Sequence, residues 1–149
     1  MPVFECRTEV SVTPERLFDF ITRVSNMQAV SPPEVDMVIV EAPEVIALGS
    51  KLVFKVQAFG VAQQLIHEIV EFERPRSFRE KMTKGPLSAW IHDYTVEPVG
   101  AQHAALINRI EFEPPGGMLG MLLTADRILS RLEDGYAHRS EALKKALEQ

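Results

Sequence analysis

The sequence has 149 residues, of which 46% are hydrophobic and 25% charged, a balance typical of one soluble globular domain. Its formal net charge is -5, its pI is about 5.4 and its basic residues are scattered, so a nucleic-acid partner is not expected. No apolar stretch approaches the ~20 residues of a membrane span, and no signal peptide is visible. A single cysteine, Cys6, cannot form an internal disulfide, which favours a reducing, cytoplasmic location.

The N-terminal part of the chain predicts a strand followed by an amphipathic helix. Residues 3–12 are rich in β-branched and aromatic side chains, which is typical of a strand. Thr13 fits a helix N-cap with Pro14 at the first helical position. Apolar side chains then recur at helical spacing as far as Val24, which indicates a helix of about three turns.

A second short helix is predicted directly after the first. Ser25-Asn26 is interpreted as its cap, and Ser31-Pro32-Pro33 as its end, because proline cannot continue a helix. The residues of this helix have low helix propensity, so residues 25–35 are expected to form a mobile lid.

The middle of the chain loses the helical period and alternates apolar with polar residues, which predicts six further strands. The predicted strands are residues 35–42, 50–59, 61–72, 77–84, 88–97 and 104–113. Turns are indicated at Gly60, at 73–76, at Val99-Gly100-Ala101 and, as a hairpin, at Gly85-Pro86. Because strands joined by short turns pair with their neighbours, a curved antiparallel sheet of seven strands is expected.

The C-terminal end predicts a break and then one long helix. Pro114-Pro115 stops the last strand, and Gly116-Gly117 is interpreted as a sharp turn and not as a phosphate-binding loop. An apolar stripe over about 30 residues then indicates an amphipathic helix, with Gly135 as a point where it can bend. The stripe consists of Met118, Leu122, Ala125, Leu129, Leu132, Tyr136, Leu143 and Leu147. One long helix beside a curved antiparallel sheet is an α+β arrangement that can enclose a cavity.

One predicted strand carries the best candidates for a site. Trp90, His92 and Tyr94 alternate, so they share one face of the sheet, and polar rings among apolar walls are typical of a small-molecule pocket. His92 is expected to meet Glu80 on the preceding strand and Asn108 on the following one. A carboxylate would favour the charged histidine and fix its tautomer, so that His92 and Glu80 orient a ligand or act as acid and base. A purely structural hydrogen bond is the alternative.

Further pocket candidates follow from phase and side-chain type. His67 is in phase with Leu65 on the long strand and faces either the pocket or solvent. Met82 suits a pocket mouth because its thioether is adaptable, as do Met118 and Met121. The candidates on the helix stripe are Leu129, Leu132 and Tyr136. The Tyr136 hydroxyl either reaches the pocket or belongs to the packed core.

No metal site and no cofactor are predicted. No set of His, Cys, Asp or Glu has the spacing of metal ligands, and His92 and Asp93 point to opposite faces of their strand. His103 and His138 are assigned no role, and Cys6 is interpreted as a packing residue.

The chain as a whole resembles the START-like, or SRPBCC, superfamily, and within it the bacterial polyketide cyclase/dehydrase-like and ligand-binding proteins. The segments that carry the resemblance, in this order and spacing, are 12–20, Asn26, Pro32-Pro33, Gly85-Pro86, Trp90-Ile91-His92, 108–112, 114–118 and 136–139. The resemblance implies a helix-grip fold with a hydrophobic cavity between the sheet and the C-terminal helix. Related chains often have a second histidine where Tyr94 stands and aspartate where Asn108 and Glu80 stand, so it implies a weakened acid–base set here.

Three functions are compatible with the sequence. The first is binding or carriage of a hydrophobic small molecule, such as a lipid, a quinone or an aromatic, polyketide-like compound. The second is a cyclase, aromatase or dehydratase in which His92 is the acid or base. The third is a protein-interaction module whose cavity is mostly filled and whose surface carries an apolar patch. An exposed edge strand can also pair in a homodimer.

Overall fold

The computed structural model describes residues 1–32, 36–58 and 61–148. The elements in chain order are β1 (Val3–Val10), α1 (Pro14–Ile21), α2 (Val24–Val30), β2 (Asp36–Glu41), β3 (Lys51–Ala58), β4 (Val61–Glu73), β5 (Ser77–Lys84), β6 (Ala89–Gly100), β7 (His103–Glu113), α3 (Gly117–Leu122) and α4 (Ala125–Leu147). The strands form one seven-stranded antiparallel sheet in the order β1-β7-β6-β5-β4-β3-β2. The predicted α+β helix-grip architecture is confirmed, with α4 packed along the inner face of the sheet.

Alternation along the strands separates the inner from the outer face of the sheet. On β3, Leu52 and Phe54 are buried while Lys55 and Gln57 are exposed, as period-two patterning predicts. The first strand is shorter than predicted and ends at Val10, since the chain turns there toward the first helix. Three predictions fall partly outside the described residues: residue 35 of the second predicted strand, residues 59–60 with the predicted turn, and residues 33–35 of the predicted lid.

The two N-terminal helices form where predicted, but their boundary is different. Thr13 caps α1, and its hydroxyl oxygen accepts a hydrogen bond from the Arg16 backbone N–H at 3.2 Å. The helix ends at Ile21 and does not continue to Val24, which instead begins α2. The reason is tertiary: Arg23 adopts extended backbone angles and pairs with Val45 in an isolated bridge, which removes it from the helical ladder.

The predicted long C-terminal helix is two helices. Leu123 has non-helical backbone angles, and Thr124 caps α4 by accepting a hydrogen bond from the Arg127 backbone N–H at 3.3 Å. Met118 and Leu122 belong to the short α3 and are 85% and 52% exposed, so the prediction of one continuous apolar stripe that includes them is wrong. The predicted sharp turn before α3 is present, with Gly117 at φ +64°, a conformation that favours glycine.

The inner face of the sheet and the helices build two separate apolar cores. The first core includes Val10, Leu17, Phe18, Ile21, Phe78, Val96, Leu143 and Leu147. The second core includes Ile110, Phe112, Ile128 and Tyr136, with Phe4, Leu129 and Leu132 packed around it. Helix α4 joins the two cores, and it passes Gly135, the predicted bend, without a break. No helix within 1–32, 36–58 or 61–148 has the length and hydrophobicity to span a membrane.

Candidate ligand-binding site

A cavity of about 390 Å³ lies between the sheet and helix α4. Its volume falls within the roughly 300–1,000 Å³ of small-molecule sites, and most of its wall is apolar. The predicted residues that line it are Leu65, His67, Glu80, Met82, Trp90, His92, Tyr94, Leu132 and Tyr136. Strands β4, β5 and β6 therefore bring these side chains together on one face, and α4 closes the opposite side.

Two predicted site residues lie outside this cavity. Asn108 is buried, hydrogen-bonds to His92, and borders a smaller void beside Thr8 and Ser140. Leu129 packs against the second core and does not reach the cavity wall. Helical spacing alone could not separate Leu129 from Leu132, because both lie on the stripe that faces the sheet.

Several cavity residues were not predicted as site residues. They include Met37, Ile39, Phe54, Phe78, Leu119, Leu123, Ile128, Arg131 and Arg139. A signal for Phe78 was present, since it alternates with Glu80 and Met82 on β5. The contribution of α3 depends on the helix break, which the sequence pattern did not show.

Four rings along the cavity wall form a continuous aromatic surface, here called the aromatic ladder: Phe78, Tyr94, His92 and Trp90. The Phe78 and Tyr94 rings stack with centroids 4.2 Å apart, and Tyr94 stacks on His92 at 3.8 Å with an interplanar angle of 16°. Trp90 meets His92 edge-on at 6.4 Å. Because these stacked rings cover one another's faces, the ladder offers the cavity mainly ring edges, an aromatic surface that suits an apolar ligand.

Glu80 makes a different contact from the one predicted. It lies directly opposite His92 in the strand register, but its carboxylate hydrogen-bonds to Nδ1 of His67 on β4. Burial raises the pKa of Glu80, and the charge and hydrogen bond of His67 outweigh that effect, so its pKa is lower than usual. An ionised carboxylate only accepts hydrogen bonds, so Nδ1 of His67 is the donor.

His92 is held as a neutral imidazole. Its Nε2 lies 2.9 Å from Oδ1 of Asn108 and 3.4 Å from the Tyr136 hydroxyl. Burial lowers its pKa to about 4, more than the nearby Glu80 charge and the Asn108 hydrogen bond raise it. The predicted effect of a carboxylate is present, since the Glu80 charge raises the pKa of His92, but desolvation is the larger effect and keeps the ring neutral. Burial likewise raises the pKa of Tyr136 to about 12, so this phenol keeps its proton.

The depressed pKa of His92 predicts a loss of stability in mild acid. The pKa of His92 is near 6.5 in the unfolded chain and about 4 in the folded chain. Between these two pH values the unfolded chain binds the proton more tightly, so the free energy of unfolding falls as the pH falls. We expect His92 to contribute a decrease of up to about 3 kcal/mol in the free energy of unfolding from pH 7 to pH 4. Urea titrations at several pH values measure this decrease, and His92→Gln should make the free energy of unfolding depend less on pH. An equal slope in the variant would contradict this assignment.

Two buried nitrogen atoms at the cavity have no hydrogen-bond partner within the described part of the chain: Nε2 of His67 and Nε1 of Trp90. Both side chains line the cavity wall. Buried polar atoms are normally paired, and an unpaired one costs free energy. Neither atom has surface accessible from the cavity, so a ligand could pair with them only after these side chains shift.

Arg139, within α4, contacts Ser31, the residue directly after α2. Its guanidinium donates to the Ser31 hydroxyl at 3.1 Å and lies 5.2 Å from the centroid of the Tyr136 ring. This contact fixes Tyr136 against the cavity. Across 1–32, 36–58 and 61–148, no cluster of three His, Cys, Asp or Glu side chains is placed to hold a metal ion.

Comparison with known proteins agrees with this geometry. Residues 1–148 match the family described as polyketide cyclase/dehydrase and lipid transport. No curated protein matches significantly. Among solved structures, the chain is similar to TTHA0849 from Thermus thermophilus, with 15% identity, a TM-score of 0.73, and coverage of 97% of this chain and 99% of that one.

Two further structures extend the likeness across kingdoms. A START superfamily protein from Mycobacterium smegmatis has 15% identity and a TM-score of 0.69, covering 99% of this chain and 97% of that chain. Major latex-like protein 151 from Panax ginseng has 15% identity and a TM-score of 0.66, covering 98% of this chain and 97% of its own. At such identities these structures support the fold alone. With the family match over nearly its whole length, the chain belongs to the polyketide cyclase/dehydrase and lipid transport family of the SRPBCC superfamily.

Proposed function

We propose that residues 1–149 act as a single domain that binds and carries a hydrophobic small molecule with a planar aromatic or quinone-like part. The observation that carries this proposal is the cavity of about 390 Å³ walled on one side by the aromatic ladder. Burial of apolar surface supplies about 25 cal/mol per Å² removed from water. The aromatic ladder provides an aromatic contact surface for the ligand.

The cavity wall contains charges of both signs, because Glu80, Arg131 and Arg139 all line it. The only carboxylate among the cavity-lining residues described is Glu80, and it is already paired with His67. A ligand carboxylate placed beside Glu80 would be repelled in a medium of low dielectric, whereas one placed beside Arg131 or Arg139 would be attracted. A neutral quinone or aromatic ketone avoids this repulsion while still offering oxygen atoms.

The two other functions have less support. His92 is a poor base at neutral pH because burial lowers its pKa to about 4. An interaction module with a filled interior does not fit the cavity volume of about 390 Å³. Exposed apolar side chains do occur on α3, at Met118, Met121 and Leu122, but they lie beside the cavity residues Leu119 and Leu123. The scattered charge and the lone Cys6 support a cytoplasmic carrier without a nucleic-acid partner.

Native mass spectrometry of the freshly purified protein tests the proposal first. We expect an apolar adduct that survives native conditions, disappears on denaturation and is recovered by organic extraction. A titration with naphthoquinone then tests the class of ligand. Trp90 is the single tryptophan and lines the cavity, so its fluorescence should be quenched in a saturable manner.

The matched control is Val38→Ala on β2, since Val38 is exposed and outside the cavity. This variant should bind naphthoquinone as the original chain does. Absence of both a co-purified adduct and saturable quenching would overturn the proposed function.

A further inference from the structure

We propose that Arg139 on α4 is an anion-binding group of the cavity, and that the ligand carries a carboxylate at the end that meets this side chain. The ligand would then be an amphipathic aromatic acid, with its apolar body along the sheet and one negative charge beside the helix. This inference rests on the proposed function, because the apolar body must first occupy the cavity.

Arg139 belongs to a row of α4 residues that faces the cavity. Arg131, Gly135 and Arg139 follow one another at a spacing of four residues, which places them on one side of the helix. All three line the cavity, and Gly135 lies close to Pro32, another lining residue. Helix α4 therefore presents cationic side chains to a cavity whose wall is otherwise mostly apolar.

The sequence around Arg139 provides no acidic partner on its own helix. Ion pairs along a helix form between residues three or four positions apart. At these distances from Arg139 within α4 the residues are Gly135, Tyr136, Ala142 and Leu143. Within the described part of the chain, no carboxylate forms an ion pair with Arg139. Direct contact with the described residues therefore does not neutralise its charge.

Neutral groups hold the Arg139 guanidinium in place. Its Nη2 donates to the Ser31 hydroxyl at 3.1 Å, and that hydroxyl donates to the Met27 carbonyl oxygen at 2.9 Å. The central carbon of the guanidinium lies 5.2 Å from the centroid of the Tyr136 ring. A guanidinium has five N–H donors in a planar fork, so these contacts orient it and leave further donors for a ligand.

The electrostatic effect of Arg139 differs between the two walls of the cavity. Burial raises the pKa of Tyr136 on α4, and the Arg139 charge opposes this rise more strongly than the Glu80 charge adds to it. Burial also raises the pKa of Tyr94 on β6, but there the Glu80 charge has the larger effect and the Arg139 charge the smaller. The helix side of the cavity is therefore its positive side.

This polarity favours a ligand with a single negative charge on the helix side. The Glu80 carboxylate is paired with His67 on the sheet, so a ligand carboxylate beside Arg139 would lie at the opposite wall. A carboxylate is planar and can accept two parallel hydrogen bonds from a guanidinium. A dianion such as a phosphate monoester would be repelled more strongly by the Glu80 charge.

Isothermal titration calorimetry at pH 7 with 2-naphthoic acid and 2-naphthamide tests this inference. The two compounds have the same ring system and nearly the same shape, and only the acid is charged at this pH. We expect the acid to bind about 10-fold more tightly than the amide. Arg139→Gln should weaken binding of the acid by about 10-fold and change the affinity for the amide by less than about 2-fold.

Lys145→Gln is the matched control. It removes one positive charge from an exposed position of the same helix that does not line the cavity, so it should bind both compounds as the original chain does. Thermal unfolding checks that each variant is folded. If Arg139→Gln is not, NMR of the arginine Nε–H groups of the original chain carries the test. The Arg139 signal should then shift with 2-naphthoic acid and stay in place with 2-naphthamide.

The outcomes separate this inference from the proposed function, because binding of 2-naphthamide measures the apolar cavity alone. Equal affinities for acid and amide in the original chain would overturn the anion-binding group and leave the carrier intact. A preference for the acid that survives in Arg139→Gln would do the same. If neither of these compounds nor naphthoquinone binds, both proposals fall.

Discussion

Replacement of His67 with leucine is expected to lower the free energy of unfolding at pH 7 by about 3–5 kcal/mol. The substitution removes the partner of Glu80, a carboxylate that is buried and hydrogen-bonded to His67. In low-dielectric surroundings an unpaired carboxylate is strongly destabilising. Urea denaturation of the single variant, compared with the original chain, gives the difference.

The double variant His67→Leu/Glu80→Met is the control, because it removes both hydrogen-bond partners and keeps similar volumes. It should lie within about 1 kcal/mol of the original chain, since an apolar pair often replaces a buried polar pair without loss. In the single variant, burial should raise the pKa of Glu80. The loss of unfolding free energy in this variant should therefore become smaller as the pH falls toward about 4, because the carboxyl group is then neutralised. Equal destabilisation of the single and double variants would show that packing, not charge pairing, is lost.

Substitution of Leu132 by tryptophan is expected to abolish ligand binding with little cost in stability. Leu132 projects from α4 into the cavity, so the larger ring would occupy the space that a ligand needs. The affinity for naphthoquinone should fall by about 100-fold, which corresponds to about 2.7 kcal/mol. Isothermal titration calorimetry measures this affinity without interference from the second tryptophan.

Leu129→Trp provides the matched comparison on the same helix. Leu129 packs against the second core and does not line the cavity, so the added volume has no space to enter. We expect a loss of about 1–3 kcal/mol in stability and an affinity close to that of the original chain. A reversal of these two patterns would place the ligand elsewhere on the sheet.

Local alternation predicted the shared face of the site residues correctly. Of the two cross-strand partners predicted for His92, Asn108 is confirmed, whereas Glu80 hydrogen-bonds to His67 instead. Alternation alone put Trp90, His92 and Tyr94 on one face. The partner of Glu80 depended on irregularities between β4 and β5, where the register shifts next to His67 and again after Ile69. Such bulges change which side chains meet across a sheet, and the pattern of one strand does not reveal them.

The C-terminal helix shows a second limit of sequence patterns. The apolar stripe from Met118 to Leu147 has helical spacing throughout, so periodicity predicted one helix. The signal for a break was the N-cap residue Thr124, with Asp126 in the first turn of α4. The sequence also could not predict that α3 is exposed, because its exposed face is as apolar as the face of α4 that packs on the sheet.

The two apolar cores on either side of the cavity have a consequence for how the protein responds to compression. Hydrostatic pressure favours the state of smaller volume, and unfolding eliminates internal voids. With a void of about 390 Å³ between its cores, this chain should unfold at lower pressure than a solidly packed domain of equal free energy of unfolding. A molecule seated against the aromatic ladder removes that void, so occupancy of the cavity should be readable as an increase in the pressure of half-unfolding.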